Sequence, residues 1–518
     1  MKRRKTKGRM GKAIAVMISA ALVLTATAAC SDVNTPKADD PSTIVVDYYK
    51  TGFGIDFLND IIDAFEKEYP QYNVSLYYSS EGSKLKDTIT LGADYNPIDL
   101  YMSNALTSDY YAYIEPLDDV LASKYKDETE TIGEKYNATY LSGMKSASDE
   151  HYYYLSYGGG YIGLVYNSEV IDGVKYAVPN TTDELLDLAM RLDAAGKKTF
   201  ISFNNNAGYW TYHDEIWQAQ YDGLDYVTDS FWALTDAEGN SPSKEVFKTK
   251  DGRYEVLKLQ EKLQNNAYIE ASSFQDEFSD AQTKFLNGKG AIMVNGTWLR
   301  NEMKMSADAG VKFKMMRTPV ISSIKNKCNT IATDAELSAL IKAIDAADSV
   351  TEIPLTGDGY DVSADDLNRV YDARNIVYST QNESVFVIPN YSNCKDGAKE
   401  FIKFFYSDAM IDVYENVLKM PSVVERTGGR ERDVSAWSEW DKVMIEYLEK
   451  YTPIWRIKND QSRMFSVGGL APYCVSNYKF LFAAPNAKDR KSADTIWNDM
   501  MLWVEENWDD CLVKAGLI

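Results

Sequence analysis

Three glycines in the first third of the chain have the spacing of a nucleotide-binding loop. Gly158, Gly160 and Gly163 in "GGGYIGLVYN" reproduce the pattern G-x-G-x-x-G. That pattern binds a pyrophosphate when it joins a strand to the N-terminus of a helix. Here the flanking stretches, "HYYYLSY" and "IGLVYN", are aromatic and β-branched, and they favour two extended segments with no helix between them. The sequence therefore predicts no dinucleotide site at these glycines.

Other residues that could carry out chemistry are dispersed. The two histidines, His151 and His213, belong to no H-E-x-x-H pattern, and hydrogen-bonded structural roles are expected for both. No G-x-S-x-G, P-loop or Cys–His arrangement is present. Four cysteines have no C-x-x-C pair among them, so we expect no metal or cofactor, and the sequence leaves open whether they form disulfides: Cys328, Cys394, Cys474 and Cys511.

The N-terminus reads as an export signal. "MKRRKTKGRMGKAIAVMISAALVLTATAAC" is a basic start, a short apolar run and a cysteine. Its end resembles the bacterial lipobox, in which the cysteine becomes the lipidated first residue, although Thr27 stands where an aliphatic residue is usual. Residues 1–29 are the expected signal peptide and 30–42 a lipidated tether starting at Cys30, with cleavage by an ordinary signal peptidase as the alternative.

Composition restricts the partners of the mature chain. The 518 residues suffice for two or more domains, and the formal net charge is −22. Nucleic acid and anionic lipid would both be repelled by such a surface. We therefore expect no nucleic-acid partner, and contact with the membrane only through the lipid.

The segment after the tether alternates strands and helices. "TIVVDYY", "YNVSLYY" and "IDLYMS" are predicted strands, and "IDFLNDIIDAFEKEY" and "SKLKDTITLGADY" are predicted helices between them. This order is typical of a parallel sheet, whose ligand groups lie in loops at the carboxyl ends of the strands. A second αβ series follows from residue 182. At the C-terminus, a helix is predicted whose apolar face packs in the core, since its large apolar residues recur at helical spacing: Trp497, Met501, Val504 and Trp508.

The ordered motifs resemble the extracellular solute-binding proteins of bacterial ABC importers, in the carbohydrate-binding family that includes maltose-binding protein. The stretches that carry the resemblance are "FEKEYPQYNVSLYY", "IDLYMSN", "YIEPLDDVL", "IGLVYNSEVI", "VPNTTDELLDLA", "FLNGKGAIMVNGTW" and "AKEFIKFFYSDAMIDVYENV". Each motif alone is not specific for the family, but the motifs occur in the family's order along nearly the whole mature chain. Residues 331–382 fit less well and are predicted to be a helical insertion.

The resemblance implies an α/β, two-lobed, type II periplasmic-binding-protein-like fold, with a mainly parallel sheet flanked by helices in each lobe and a hinge between the lobes. Residues 43–160 and 322–424 would form the N-terminal lobe, and 161–321 and 425–518 the C-terminal lobe. The three glycines would lie at the first crossing, as a hinge or a close backbone approach to ligand. The expected protein is a monomer that captures a carbohydrate, expected to be an oligosaccharide, on the outer face of the membrane and delivers it to permease subunits.

A sugar needs planar polar groups beside flat aromatic rings. The expected ligand-binding residues lie in predicted loops and at the first crossing, and Trp298 coincides with the sugar-stacking position of the family; they are Lys50, Phe53, Glu81, Asp99, Asn104, Tyr157, Asn205, Tyr209, Trp210, Asn295, Trp298 and Trp455. Two alternatives stay open. A secreted glycoside hydrolase or lyase needs only paired carboxylates, which 77 acidic residues supply by chance. A surface adhesin or sensor would use the same lobes without transport.

Overall fold

A computed structural model describes residues 40–50, 52–79, 83–104, 108–146, 148–201, 208–304, 312–380, 383–454, 463–470 and 489–518. Its strands are β1 Thr43–Tyr49, β2 Asn73–Ser79, β3 Leu100–Ser103, β4 Leu155–Gly158, β5 Tyr161–Asn167, β6 Phe200–Ile201, β7 Ile292–Gly296, β8 Phe313–Met316, β9 Thr356–Gly357, β10 Tyr360–Asp361, β11 Ile376–Ser379, β12 Ser384–Val387 and β13 Thr452–Ile454.

The α-helices alternate with these strands along the chain. They are α1 Asp56–Glu68, α2 Leu85–Thr88, α3 Asp118–Ala122, α4 Ile132–Lys135, α5 Ala138–Met144, α6 Thr182–Ala194, α7 Gly208–Asp222, α8 Lys244–Lys248, α9 Gly252–Leu263, α10 Phe278–Leu286, α11 Leu299–Glu302, α12 Asp334–Ala346, α13 Ala364–Arg374, α14 Lys395–Phe405, α15 Asp408–Leu418, α16 Glu439–Lys450, α17 Arg463–Ser466 and α18 Ala493–Lys514.

The first lobe is built on a sheet with strand order β2-β1-β3-β12-β4. Strands β2 and β3 both pair with β1 in parallel, so the carboxyl ends of all three meet at one edge. Helix α1 covers the sheet with a single apolar face, because its buried residues recur at helical spacing: Phe57, Leu58, Ile61, Ile62 and Phe65. Charged side chains occupy the outer face of this helix.

The second lobe is built on a sheet with order β13-β11-β5-β7-β6, in which β8 also pairs with β5. Strand β5 is buried along its whole length. Ile162 and Leu164 point into the core of this lobe, whereas Tyr161 and Val165 point into the cluster shared with the first lobe. Side chains alternate between the faces of a strand, so this sheet has a packed core on both sides.

The chain crosses between the lobes three times. The first crossing joins β4 to β5, and the second joins β11 to β12. These two crossings are hydrogen-bonded to each other, since the Thr380 N–H donates to the Gly160 carbonyl at 2.9 Å and the Gly160 N–H donates to Thr380 Oγ1 at 3.0 Å. The prediction of a two-lobed α/β fold is confirmed.

The sheets are mixed, and not mainly parallel as expected. Strand β12 runs antiparallel to β3, and β5 runs antiparallel to β7, β8 and β11. Both β5 and β12 begin at a crossing. Strand β12 enters the first sheet at the edge where β3 ends, and β5 enters the second sheet at the edge where β7 and β11 end, so each must run in the opposite direction to those neighbours.

The boundaries predicted for the lobes need correction. Residues 322–380 were expected in the first lobe, but Tyr378 of β11 pairs with Ile162 of β5, and α12 and α13 pack into the second core. Residues 425–432 were expected in the second lobe. Arg426 instead forms ion pairs with Asp412 and Glu415 of α15 in the first lobe, at 2.8 and 2.6 Å. The third crossing therefore lies after residue 432.

The C-terminal stripe is core, as predicted, except that Met501 is half-buried. Trp497, Val504 and Trp508 of α18 are 2%, 0% and 8% exposed.

Cys328, Cys394 and Cys511 are free thiols, and Cys474 lies outside the described residues. None of the helices in the described ranges combines the length and the apolar character needed to cross a membrane.

Candidate functional site

Trp298 lies where the two lobes touch. It directly precedes α11, two residues after β7 ends, and its side chain is half-buried. Three glycines surround the indole. A Cβ on Gly52 of the first lobe would lie 2.8 Å from Cδ1, one on Gly160 at the crossing would lie 2.9 Å from Cε3, and one on Gly296 of β7 would overlap the six-membered ring. Bare backbone therefore approaches the ring from both lobes, which explains Gly160 of the opening motif.

Tyr209 extends the aromatic surface next to Trp298. It lies in the first turn of α7, with its ring centroid 5.4 Å from that of Phe278, and it shares a side-chain hydrogen bond with Trp298. Burial raises the pKa of the Tyr209 hydroxyl well above its usual value, and the nearby carboxylate of Glu302 raises it further. The phenol is therefore a neutral hydrogen-bonding group at neutral pH.

Glu302 completes this group, and the sequence reasoning missed it. It ends α11, one helical turn after Trp298. Gln282 of α10 donates a hydrogen bond to its Oε2 at 2.5 Å, and its Oε1 lies 2.9 Å from the position that a Gly52 Cβ would occupy. Burial raises the pKa of the Glu302 carboxyl to about 7. The spacing Trp-x-x-x-Glu on a helical turn was the signal that could have identified it.

Two predicted residues of the first lobe share the edge that carries Gly52. Lys50 follows β1 and Asn104 follows β3, at the carboxyl ends of parallel strands. The Lys50 N–H donates to the Ser79 carbonyl at 2.9 Å, and its Nζ lies 5.7 Å from the ring centroid of Tyr78, a side chain that is 57% exposed. Lys50 and Asn104 therefore remain candidates for ligand contact.

Asp99 does not belong to this edge. It precedes β3, and parallel pairing places it at the opposite end of the sheet. Its Oδ2 accepts a hydrogen bond from the Val45 N–H at 3.0 Å, and its Oδ1 accepts one from Ser392 Oγ at 2.6 Å. The carboxylate fixes the start of β1 next to the loop before α14, which is a structural role.

Phe53 and Tyr157 are core residues, contrary to the prediction of ligand contact. They are 6% and 1% exposed, and their rings meet edge to face at 6.5 Å. Tyr157 also packs edge to face against Tyr48, with ring centroids 6.5 Å apart. Burial raises the pKa of the Tyr157 hydroxyl above its usual value. Strand β4 places this ring in the first core.

Trp210 and Asn295 are also core residues, contrary to prediction. Trp210 is 1% exposed and packs against Phe200 and Trp217, with ring centroids 5.7 and 6.5 Å away. The sequence predicted a loop at Trp210, but helix α7 already begins at Gly208. Trp210 therefore lies in the first turn of the helix, and its ring points into the core. Asn295 is 1% exposed inside β7, where its Oδ1 accepts a hydrogen bond from the Gly296 N–H at 2.7 Å.

The remaining predictions have mixed outcomes. Glu81, Asn205, Trp455 and the lipidation residue Cys30 lie outside the described residues. His151 is exposed, with its Nδ1 3.2 Å from Asp118 Oδ2, whereas His213 is fully buried in α7. Within the described ranges, no group of three or more histidine, cysteine or acidic residues could hold a metal ion.

Two α/β lobes joined by three crossings, with an aromatic and carboxyl group at their contact, define the class of two-lobed solute-binding proteins. The chain belongs to the bacterial extracellular solute-binding proteins, since the model of that family matches residues 54–411. The structure is similar to the solute receptor AcbH, with a TM-score of 0.62 at 12% identity over 90% of this chain and 99% of that one.

Two further solved structures share the fold. One is a protein of xylan utilization in the thermophilic bacterium Caldanaerobius polysaccharolyticus, with a TM-score of 0.61 at 14% identity over 89% of this chain and 100% of that one. The other is the GacH receptor of Streptomyces glaucescens, with a TM-score of 0.57 at 16% identity over 90% of this chain and 99% of that one. No curated protein matches the sequence.

Proposed function

We propose that the protein captures a carbohydrate, specifically an oligosaccharide, between its lobes and delivers it to the permease of an ABC importer. The observation that carries this proposal is the half-buried indole of Trp298, flanked by Tyr209 and Glu302 and touched by Gly52 of the opposite lobe. An aromatic face binds the C–H face of a sugar, and adjacent polar groups bind its hydroxyls.

The structural neighbours support a saccharide as the solute. AcbH has an exclusive preference for β-D-galactopyranose, and GacH has been solved in complex with acarbose. The proposed contact residues of this chain are Trp298, Tyr209, Glu302, Lys50 and Asn104, together with Glu81, Asn205 and Trp455 from the sequence.

Ligand contacts to both lobes should hold the protein closed, because a ligand that binds one conformation better shifts the population towards it. A thermal-shift and calorimetry screen of neutral mono- and oligosaccharides tests the proposal. Small-angle scattering of the protein with the saccharide found in this screen should show a monomer whose radius of gyration is smaller than that of the free protein. An unchanged radius at saturation would contradict closure.

The enzyme alternative predicts a different result in the same screen. A glycoside hydrolase or lyase would release reducing or unsaturated sugar from an oligosaccharide. The proposed binding protein should raise its melting temperature with ligand and leave the ligand intact. Turnover of any saccharide that stabilises the fold would replace the transport proposal.

We also propose that Cys30 carries a lipid anchor on the outer face of the membrane. One acyl chain binds a membrane weakly, so the two chains of a diacylglycerol would retain the protein. Cys30→Ala should release the protein into the medium or leave the precursor uncleaved. Identical fractionation of variant and wild type would favour an ordinary signal peptidase.

A further inference from the structure

The carboxyl group of Glu302 lies inside the proposed cleft without a cationic partner among the described residues. Its Oε2 is bound by the uncharged Gln282, and its Oε1 faces the backbone of Gly52. No lysine or arginine of the described chain forms an ion pair with it. Arg300, on the same helical turn, is paired instead with Asp441 at 2.9 Å.

A second carboxyl group lies near the same tyrosine. Glu383 lies in the second crossing, directly before β12, and its N–H donates to the Thr380 carbonyl at 3.0 Å. The carboxylates of Glu302 and Glu383 both raise the pKa of the Tyr209 hydroxyl, so both lie close to it. Three elements, α7, α11 and the second crossing, therefore surround the aromatic surface with acidic and neutral groups.

We propose that Glu302 is a specificity-determining residue of the cleft, which admits an uncharged saccharide and rejects one that carries a carboxylate. This inference rests on the proposed function, because it assumes that the ligand contacts Trp298. A saccharide carboxylate near Trp298 would lie close to the carboxylate of Glu302. Closure of the lobes would exclude water from the site, so the repulsion between the two charges would be strong. Placing like charges together is a common means of excluding an unwanted ligand.

The titration of Glu302 provides a test that needs no mutation. Its pKa of about 7 leaves the carboxyl mostly ionised at about pH 8 and mostly neutral at about pH 5.5. The carboxylate of a uronic acid, with an ordinary pKa near 4, stays ionised at both values. Rejection of the acidic sugar should therefore weaken as the pH falls.

The experiment compares matched sugars by calorimetry on the full chain: galactose with galacturonate, and xylo-oligosaccharides with and without a glucuronate branch. At about pH 8 the wild type should favour the neutral member about a hundredfold. Glu302→Gln at about pH 8, and wild type at about pH 5.5, should each reduce this preference about tenfold, because the affinity for the acidic member rises relative to that for the neutral one.

Glu169→Gln is the matched control. Glu169 is exposed just past the end of β5 that points away from the crossing, so the substitution removes the same charge far from the cleft. The preference should not change in this variant. Equal binding of neutral and acidic sugars, or a preference that neither Glu302→Gln nor acid alters, overturns the inference while leaving sugar capture intact. Failure of every saccharide to bind removes the proposed function and the inference with it.

Discussion

Trp210 and Trp298 both lie near the start of a helix in the second lobe, yet their surroundings differ. Trp210 of α7 is enclosed by the side chains of Phe200 and Trp217. Trp298 at the start of α11 is approached by bare backbone at three glycines and stays half-buried. Residue type is the same in the two regions. The neighbours of an aromatic ring therefore decide whether it builds the core or presents a face to a ligand.

The titratable groups beside the two tryptophans differ in the same way. His213 of α7 is fully buried between Trp210 and Trp217, and neither ring nitrogen has a hydrogen-bond partner among the described residues. Glu302 of α11 has Gln282 as a partner for one oxygen and the interlobe contact for the other. The first region is enclosed within the second lobe, whereas the second region lies at the contact between the lobes.

The largest expected effect is on stability at Trp210. Trp210→Ala should lower the free energy of unfolding by about 3 to 5 kcal/mol, because a large side chain is removed from a packed core. Urea unfolding measures this loss. The fraction that still folds should bind sugar with wild-type affinity, and full stability with lost affinity would place Trp210 in the site instead.

The opposite pattern is expected at Trp298. Trp298→Ala should weaken sugar binding about tenfold to a hundredfold, because an indole face contributes on the order of 1 to 3 kcal/mol. The free energy of unfolding should fall little, since the ring is half-buried. Calorimetry and urea unfolding of the same variant give both quantities, and a large loss of stability with unaltered affinity would remove Trp298 from the site.

His213 should make the second lobe sensitive to acid. Burial lowers its pKa from 6.5 to about 3, so the unfolded chain takes up a proton as the pH falls below 6.5 while the folded chain does not. Stability that is complete above pH 6.5 should therefore decrease by about 2 kcal/mol between pH 6.5 and about 5.

His213→Phe should abolish this part of the acid slope in urea unfolding. Burial raises the pKa values of Asp214 and Asp222, but these groups titrate in both proteins and cancel in the difference. Parallel pH profiles for variant and wild type would show that His213 takes up its proton as readily in the folded chain as in the unfolded one, which would contradict its lowered pKa.

The smallest expected effect concerns the backbone beside Trp298. Gly296→Ala should displace the indole and weaken sugar binding by up to about tenfold, because the new Cβ would overlap the ring. In a Trp298→Ala background the same change should have almost no effect on affinity. Additive losses in the double variant would mean that Gly296 acts on the cleft independently of the ring.

Sequence patterns predicted the elements that have one buried face. Helix α1 and the stripe of α18 show helical periodicity, and both are as expected. Helix α7 could not be read this way, because it is buried on nearly all sides and carries polar residues such as His213 and Gln218 inside. Its first turn was consequently interpreted as a ligand loop, and Trp210 as a ligand contact.

The site was predictable in part. The motif that carries Trp298 predicted an aromatic ring at the position where the structure has the lobes in contact, and strand order predicted the edge that carries Lys50 and Asn104. The roles of Glu302 and Gly52 depend on contact between lobes that are distant in sequence, and no local pattern contains that contact. Asp99 was misplaced because a polar residue before a strand resembles one after it until the direction of pairing is known.

The segment predicted to be a helical insertion, residues 331–382, is part of the core of the second lobe. Helix α13 packs directly on α7, and Leu337, Ile341 and Val370 join the same core as Trp217. Excision of this segment would therefore expose to water the apolar surface of α7 that these helices cover. The segment is an integral part of the second lobe, and a variant that lacks it should aggregate when expressed.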